Sequence, residues 1–570
     1  MEDEARVMTA RTPLLKRRKL LVGVSVIALA AAGTTIWVAP LAADPEGDKD
    51  CGSALGRIPP HFVPPAPPAP VQPTASGPRL TVADDRPPAQ PRWAQRGGTV
   101  NDASCLSRTQ VAGIVAVESE ADVATALAYA RGRGLPVSAA GVKHSMGGQA
   151  FRHGGVVLDM RRYNAIRLDR AAQTVRVGAG ATWHDIQNAI HPRFAVKAMQ
   201  STDIFSVGGS ISVNAHGMDH RAGALMDSVR SLRMMLASGE IVTASRTENP
   251  ELFRHAVGGY GLFGVILEAE LDVVPNDIYA SSREIISYRG FPERFAEISR
   301  DPQIALMYAH LSTAPGSLLD ETLVYTYRRA RDQNAERPPL GEVGSTKIRR
   351  LTVNLAKRGS VFQSLRWWAE KNLEHRFESC TVQRAQALGD GEACLVSRND
   401  PMHDSVAYLR NNLPEETDIL HEYFVPRDQL VPFIDGMRAL FRARDANLVN
   451  ASIRAVNAED NALSYAPWPA FSVVLYLNQS TDADGNARMA ALTSDLIELA
   501  LRHGGRFFLP YQLHYSPEQL ERAYPEISDF FAEKEKWDPI GLFSNSWYAR
   551  YASRLSARPG DEAPAGLPSF

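Results

Sequence analysis

From residue 111 onward, short apolar runs alternate with amphipathic stretches, and the period of each predicts its element. VAGIVAV (111–117) is apolar and β-branched, as a strand is. Val123, Leu127 and Ala130 then fall on one helical face, with Ser119 at the cap, Asp122 at the reciprocal position, and Gly132 and Gly134 to stop the helix. LPVSAAG (135–141) and GVVLDM (155–160) predict two further strands, AIRLDRAAQTVRVGAG (165–180) a hairpin, and TWHDIQNAI a helix capped by Thr182. SLRMMLASGEIVTAS (231–245) alternates around a Ser-Gly turn, which suits a hairpin, and GGYGLFGVILEAELDVVPN (258–276) leads from glycines into a long strand. Later, TDILHEYFVP and FSVVLYLNQ read as antiparallel strands. No internal repeat recurs at a fixed period. The class expected is α+β.

The N-terminus follows another pattern. LLKRRK (14–19) precedes residues 20–43, and no charge falls between Lys19 and Asp44. About 20 apolar residues span a bilayer core, and basic residues before them favour a cytoplasmic start. The expectation is a single-pass signal anchor in the membrane with the folded body on the extracytoplasmic side. A cleaved signal peptide is the alternative, although Leu41 in PLAAD is large for a cleavage site. Arg17-Arg18 hints at twin-arginine export. Residues 44–95 include IPPHFVPPAPPAPVQP, an extended proline-rich spacer, and the tail after Arg554 reads as disordered.

Composition narrows the classes. The chain has 570 residues, too many for one core, and its 44% hydrophobic and 22% charged residues are ordinary for a folded protein. A net charge of −2 gives no sign of a nucleic-acid binder. Four cysteines are too few for a disulfide scaffold or a Cys-rich zinc site; Cys380 and Cys394 are near enough in sequence to pair in an oxidising compartment. HExxH is absent, and the histidines do not cluster with carboxylates at metal spacing, so no metal is expected.

The candidate chemistry lies in small-residue loops. AAGVKHSMGGQAF (139–151) offers backbone N–H groups to an anion, and SVGGSISVNAHG (206–217) brings backbone close to a ligand. GVKHSMGGQ does not fit the dinucleotide fingerprint, and GGYGLFG leads into a strand, which excludes a nicotinamide site of the Rossmann type. The P-loop pattern is missing too, which argues against an ATPase.

The ordered set RGGTVNDASC, VESEADVATAL, AAGVKHSMGGQ, VVLDM, VGAGATWHDIQ, VGGSISVNAHG and GGYGLFGVI, over residues 96–276, resembles the FAD-binding domain of the vanillyl-alcohol oxidase/para-cresol methylhydroxylase family. DPIGLFSN (538–545) resembles the return segment of its sugar, alditol and aldonolactone oxidase branch. The resemblance implies a PCMH-type FAD-binding domain (96–277), a substrate domain built on an antiparallel sheet flanked by helices (278–500), and a C-terminal segment (501–553) that returns to the FAD domain.

It also implies FAD as cofactor. Ala140, Gly141, Val142, Lys143, His144, Ser145, Met146, Gly147 and Gly148 would bind its pyrophosphate. Gly208, Gly209, Ser212, His216 and Gly217 would lie along the flavin and ribityl chain, with Gly264 and Ile266 near the adenine side. His144 matches the histidine that often joins covalently to the flavin. Ala215 stands where relatives control oxygen access, which leaves oxidase or dehydrogenase open.

Taking hydride from a CH–OH carbon needs a proton acceptor and a cation near the flavin. Arg454, in NASIRAV, matches the branch's active-site arginine, but Ser452 stands where Glu is usual. In GGRFFLPYQLHY, Tyr511 or Gln512 replaces the usual lysine; Tyr511 is either a hydrogen-bonding or acid/base group or a core aromatic. His514, Glu459, His421 and Glu422 are further candidates, and Tyr476, Asn478 and Gln479 are expected in the pocket. The activity implied is oxidation of a sugar-, polyol- or lactone-like small molecule, with electrons passing to oxygen or a membrane acceptor. The alternatives are a C=C reductase and a non-catalytic flavin-binding protein.

Overall fold

In the computed structural model, residues 41–43, 90–341, 344–372, 394–409, 413 and 415–555 are described. Local signals start the first helices. The Ser119 side chain accepts from Asp122 N, the Asp122 carboxylate accepts from Ser119 N at 2.9 Å, and the helix Glu120–Arg131 begins there. Thr182 and Asp185 repeat this box at Trp183–Ile190. Each such cap contributes about 1 kcal/mol. Most of the helical stability comes instead from burial of Val123, Leu127 and Ala130 on one helix and Trp183, Ile186 and Ile190 on the other.

The first sheet runs β1 (Trp93–Arg96), β4 (Gly113–Ala116), β6 (Val156–Asp159) and β5 (Val137–Ala140), with β4, β5 and β6 parallel. A small hairpin, β2 (Thr99–Val100) with β3 (Thr109–Gln110), lies beside it in sequence. The second sheet runs β11 (Ile241–Ser245), β10 (Val229–Met235), β12 (Val265–Pro275), β8 (Thr174–Gly178) and β7 (Ile166–Asp169), and β9 (Phe194–Val196) adds to β12. Both predicted hairpins are present, β7 with β8 and β10 with β11.

The third sheet is antiparallel. It comprises β13 (Ile278–Ser287), β14 (Ile304–Leu311), β15 (Glu321–Arg329), β16 (Leu395–Ser397), β17 (Glu416–Pro426), β18 (Leu448–Val456), β19 (Ala470–Ser480) and β20 (Arg506–Phe507). Their order is β16-β13-β15-β14-β18-β19-β17-β20. The helices Leu430–Arg444 and Ala483–Arg502 pack against it, burying Phe433, Met437, Leu496 and Ile497. Residues 542–544 return to the first sheet: Val137 N donates to Leu542 O at 2.7 Å and Ser544 N to Val137 O at 3.1 Å.

At the N-terminus one expectation meets a different outcome. The single-pass membrane protein is a misreading: among the described residues no helix is long and apolar enough to cross a membrane. Most of the 20–43 span lies outside those residues. Its end packs on protein rather than facing lipid, since Leu41 is buried and its carbonyl accepts from Asn354 Nδ2 at 2.8 Å. The carbonyl of Ala43 accepts from Arg350 on the same helix, Thr346–Ala356. Residues 44–89 of the proline-rich spacer and residues 556–570 of the tail also lie outside the described residues; Trp93, Ala94 and Gln95, read as spacer, belong to β1. Cys394 and Cys105 are both disulfide-bonded, and Cys380 lies outside the described residues.

Candidate active site

The loop after β5, the 200–218 stretch and the cavity face of the third sheet enclose a space of about 2100 Å³. Typical small-molecule pockets are about 300–1000 Å³, so this one is large enough for a dinucleotide and a second ligand. Ala140, Gly141, Val142, Lys143, His144, Ser145 and Met146 line it, as do Gly208, Gly209, Ser212, Ala215, His216, Gly264 and Ile266. Gly147, Gly148 and Gly217 stand behind the wall, so their small size serves packing of the protein on itself. A Cβ on Gly147 would meet Tyr511 O at 2.4 Å, and one on Gly217 would meet Met199 O at 1.9 Å. Gly148 has φ +67° and lies against Ser107, where a Cβ would come within 2.3 Å.

Asp102, which is not among the candidate site residues, holds this loop. Its buried carboxylate accepts from Gly148 N at 2.6 Å and from Ser104 N at 2.9 Å, and Ala103 N donates to Lys143 O at 2.9 Å. Burial raises the Asp102 pKa, and the Ser104 and Gly148 bonds only partly offset that. The amide of Gly148 therefore answers to protein, which leaves the 140–146 backbone to meet an anion. The signal for Asp102 is the NDASC segment, one of the motifs that carry the family resemblance.

On the facing sheet, strand alternation decides which polar groups enter the cavity. Ser452 and Arg454 lie two apart on β18, and the register Ser452↔Val474 and Val474↔Glu422 carries one row across to β17. Glu422, Ser452 and Arg454 all line the cavity. Glu422 Oε1 lies 2.6 Å from His216 Nε2 and accepts a short hydrogen bond from Ser472 Oγ. Burial pushes the Glu422 pKa up, but His216, Ser472 and Arg454 outweigh it and hold the carboxyl below its ordinary value. Burial lowers the Arg454 guanidinium, against the charge of Glu422, and Arg454 Nε is a buried donor without a partner among the described residues. His216 Nδ1 is likewise buried without a partner among them.

Tyr511 also lines the cavity, and burial drives its pKa well above the ordinary value. That keeps it a neutral hydroxyl, which suits hydrogen bonding and not proton abstraction by a phenolate. The remaining candidates point elsewhere. His421 faces the other side of β17, with Nδ1 3.2 Å from Tyr423 OH. Gln512 is buried and His514 half-buried, neither lines the cavity, and Glu459 is enclosed by Asn214 Nδ2 at 2.5 Å and Ala466 N at 2.9 Å. Tyr476 lines the cavity, whereas Asn478 turns to Asp418 Oδ1 at 2.8 Å and Gln479 is buried outside the lining.

The lining fits a flavin dinucleotide: glycine-rich backbone forms one wall, and Arg454 and His216, each with a buried nitrogen unpartnered among the described residues, line the cavity as well. Residues 111–245 match the family described as FAD binding domain. The chain is 34% identical over 487 residues to decaprenylphosphoryl-beta-D-ribose oxidase of Mycolicibacterium smegmatis, covering 80% of this chain and 96% of that protein. The chain belongs to this family of FAD-linked oxidoreductases. Two further relatives match over shorter stretches. An uncharacterized oxidoreductase from the fasciation locus of Rhodococcoides fascians is 37% identical over 161 residues, which is 28% of this chain and 36% of that protein. Cytokinin dehydrogenase 2 of Arabidopsis thaliana is 34% identical over 164 residues, 28% of this chain and 32% of its own length.

One grouping departs from the sequence-based expectation outright. The histidines look unclustered along the chain, yet His184, Asp203 and His403 bring their ligand atoms within 4.8 Å of one another. Long separations in the chain hide this from any spacing rule.

Proposed function

We propose that the protein oxidises a CH–OH group of a sugar-like substrate, with polyols and lactones as the neighbouring chemical class. The observation that carries this reading is the His216–Glu422 pair, which stands beside Arg454 in the cavity faced by the FAD loops. Bound FAD supplies the acceptor for the hydride that leaves the carbinol carbon. The chain's residues handle the proton and the charge. Glu422, as an acceptor, keeps the hydrogen of His216 on Nε2, which leaves Nδ1 with a lone pair to take the hydroxyl proton. Arg454 donates toward the oxygen on which negative charge develops, and burial strengthens that interaction. The Tyr511 hydroxyl orients the substrate. The ribose named in the Mycolicibacterium relative's substrate supports a sugar alcohol over an isolated alkene.

The reading includes a covalent bond from His144 to the flavin, supported by the position of His144 in the cavity-lining loop. Acid precipitation tests that bond: flavin left in the supernatant overturns it. The activity is tested by mixing the FAD-loaded protein anaerobically with pentose phosphates, alditols and aldonolactones while following flavin absorbance. Bleaching by at least one of these is expected. Bleaching by NADPH with none by the sugars would replace this reading with a C=C reductase.

A further inference from the structure

Three side chains outside the redox site meet where the helix Trp183–Ile190 faces the 398–406 stretch. His184 lies in the first turn of that helix, Asp203 precedes the helix Val207–Ser212, and His403 follows the turn Asp400–Met402. His184 Nδ1 is 2.9 Å and His403 Nδ1 3.1 Å from the same oxygen, Asp203 Oδ2. His403 Nδ1 is also 3.0 Å from Gln187 Oε1, and the two imidazole centroids are 4.7 Å apart. Asp203 is fully buried, and its Oδ1 has no hydrogen-bond partner among the described residues.

These distances suit a cation. Zinc bonds of about 2.0–2.1 Å to nitrogen and oxygen put tetrahedral ligands about 3.3 Å apart, and two of the three edges are already close to that. A buried carboxylate oxygen without a donor costs about 1–3 kcal/mol, and a bound cation removes that cost. The carboxylate of Asp404 adds negative charge beside Asp203, with its own bonds to Val406 N at 2.7 Å and Tyr408 OH at 3.1 Å. Two imidazoles with one carboxylate select a borderline metal; calcium and magnesium prefer all-oxygen shells.

We propose that His184, Asp203 and His403 bind one zinc-class divalent cation, with the fourth position taken by Gln187 Oε1 or water. The ion joins an FAD-domain helix to the segment that carries Pro401, His403, Asp404 and Ser405 into the cavity wall. Its role is to fix that wall, and it shares no residue with the hydride chemistry.

The test uses the FAD-loaded full chain, stripped with chelator and titrated with Co²⁺. Saturation at one Co²⁺ per chain is expected, with a tetrahedral ligand-field absorption that Zn²⁺ abolishes and a rise in Tm on adding Zn²⁺. His184 is partly exposed, so His184→Ala keeps the fold and its FAD content; binding in it weakens at least about tenfold and the Tm rise disappears. Asp203→Asn loses the absorption. Absence of saturable one-to-one binding in the unaltered protein overturns the proposal, and so does binding in His184→Ala equal to that of the parent.

Discussion

Glu422 on β17 and His216 on the flavin side of the cavity are 206 residues apart in sequence and 2.6 Å apart in space. In the proposed mechanism Glu422 selects the His216 ring nitrogen that carries hydrogen, and His216, Ser472 and Arg454 hold the Glu422 carboxyl below its ordinary value despite its burial.

Glu422→Gln therefore separates charge from shape. The amide keeps the size of the side chain and loses the anion that orders the imidazole. Flavin reduction by the active sugar is expected to slow by about 10²–10⁴, with FAD content unchanged. Stopped-flow reduction measures this, and an unaltered rate removes Glu422 from the proton path.

Arg454→Ala removes the buried guanidinium that faces the cavity. A loss of about 10²–10³ in the reduction rate is expected, in line with deletion of one donor to a developing oxyanion. Arg454→Lys restores charge without the planar fork and should recover only part of it. The split between kcat and KM shows whether the lost interaction forms in the transition state or already in the bound complex.

The FAD loop depends on groups behind it. Asp102→Ala leaves Gly148 N and Ser104 N without their acceptor, at about 1–3 kcal/mol each. Gly148→Ala strains a left-handed residue and drives a methyl into Ser107. Both variants are expected to purify with less flavin per chain, read from the ratio of flavin to protein absorbance. Full occupancy in both would show that the loop holds its shape without these supports.

Acid sensitivity follows from buried imidazoles. Burial holds His421 at about 3 and His220 and His514 at about 4, below the ordinary value near 6.5. Between those limits the unfolded chain binds protons that the native protein refuses. The stabilisation is complete above about pH 6.5 and is lost as pH falls, by about 1.4 kcal/mol per unit for each histidine. Tm should drop steeply from about pH 6.5 to 4, and His421→Gln should flatten that drop. An equal slope in the variant would assign the acid transition to other groups.

Local structure is legible in the sequence because its causes are local. The boxes at Ser119 and Thr182 and the alternation of TDILHEYFVP each lie within a few residues. The 140–148 run of small residues is legible as a place of close backbone approach, although Gly147 and Gly148 approach Tyr511 and Ser107 of the protein itself. The pairing of the groups proposed to handle the proton is not legible, although His216 and Glu422 each stand among the sequence candidates. Ser452 looks like a missing carboxylate, whereas the carboxylate stands two strands away, joined to it through Val474. Register across three strands is a tertiary fact, and no spacing in the chain encodes it. The same holds for His184, Asp203 and His403. Apolarity misleads differently: it does not by itself distinguish lipid from protein, and Leu41, at the described end of the 20–43 run, is buried against protein.

The ladder of β17 on β19, from Glu416↔Ser480 to Pro426↔Ala470, works as a reading frame. Shifted by one residue, it would hand the cavity His421 or Tyr423 and bury Glu422 against the helix behind. The chemistry of this protein is thus written partly in backbone hydrogen bonds. Insertions in the turn between Pro426 and Leu430 should be tolerated far better than a single-residue deletion inside β17.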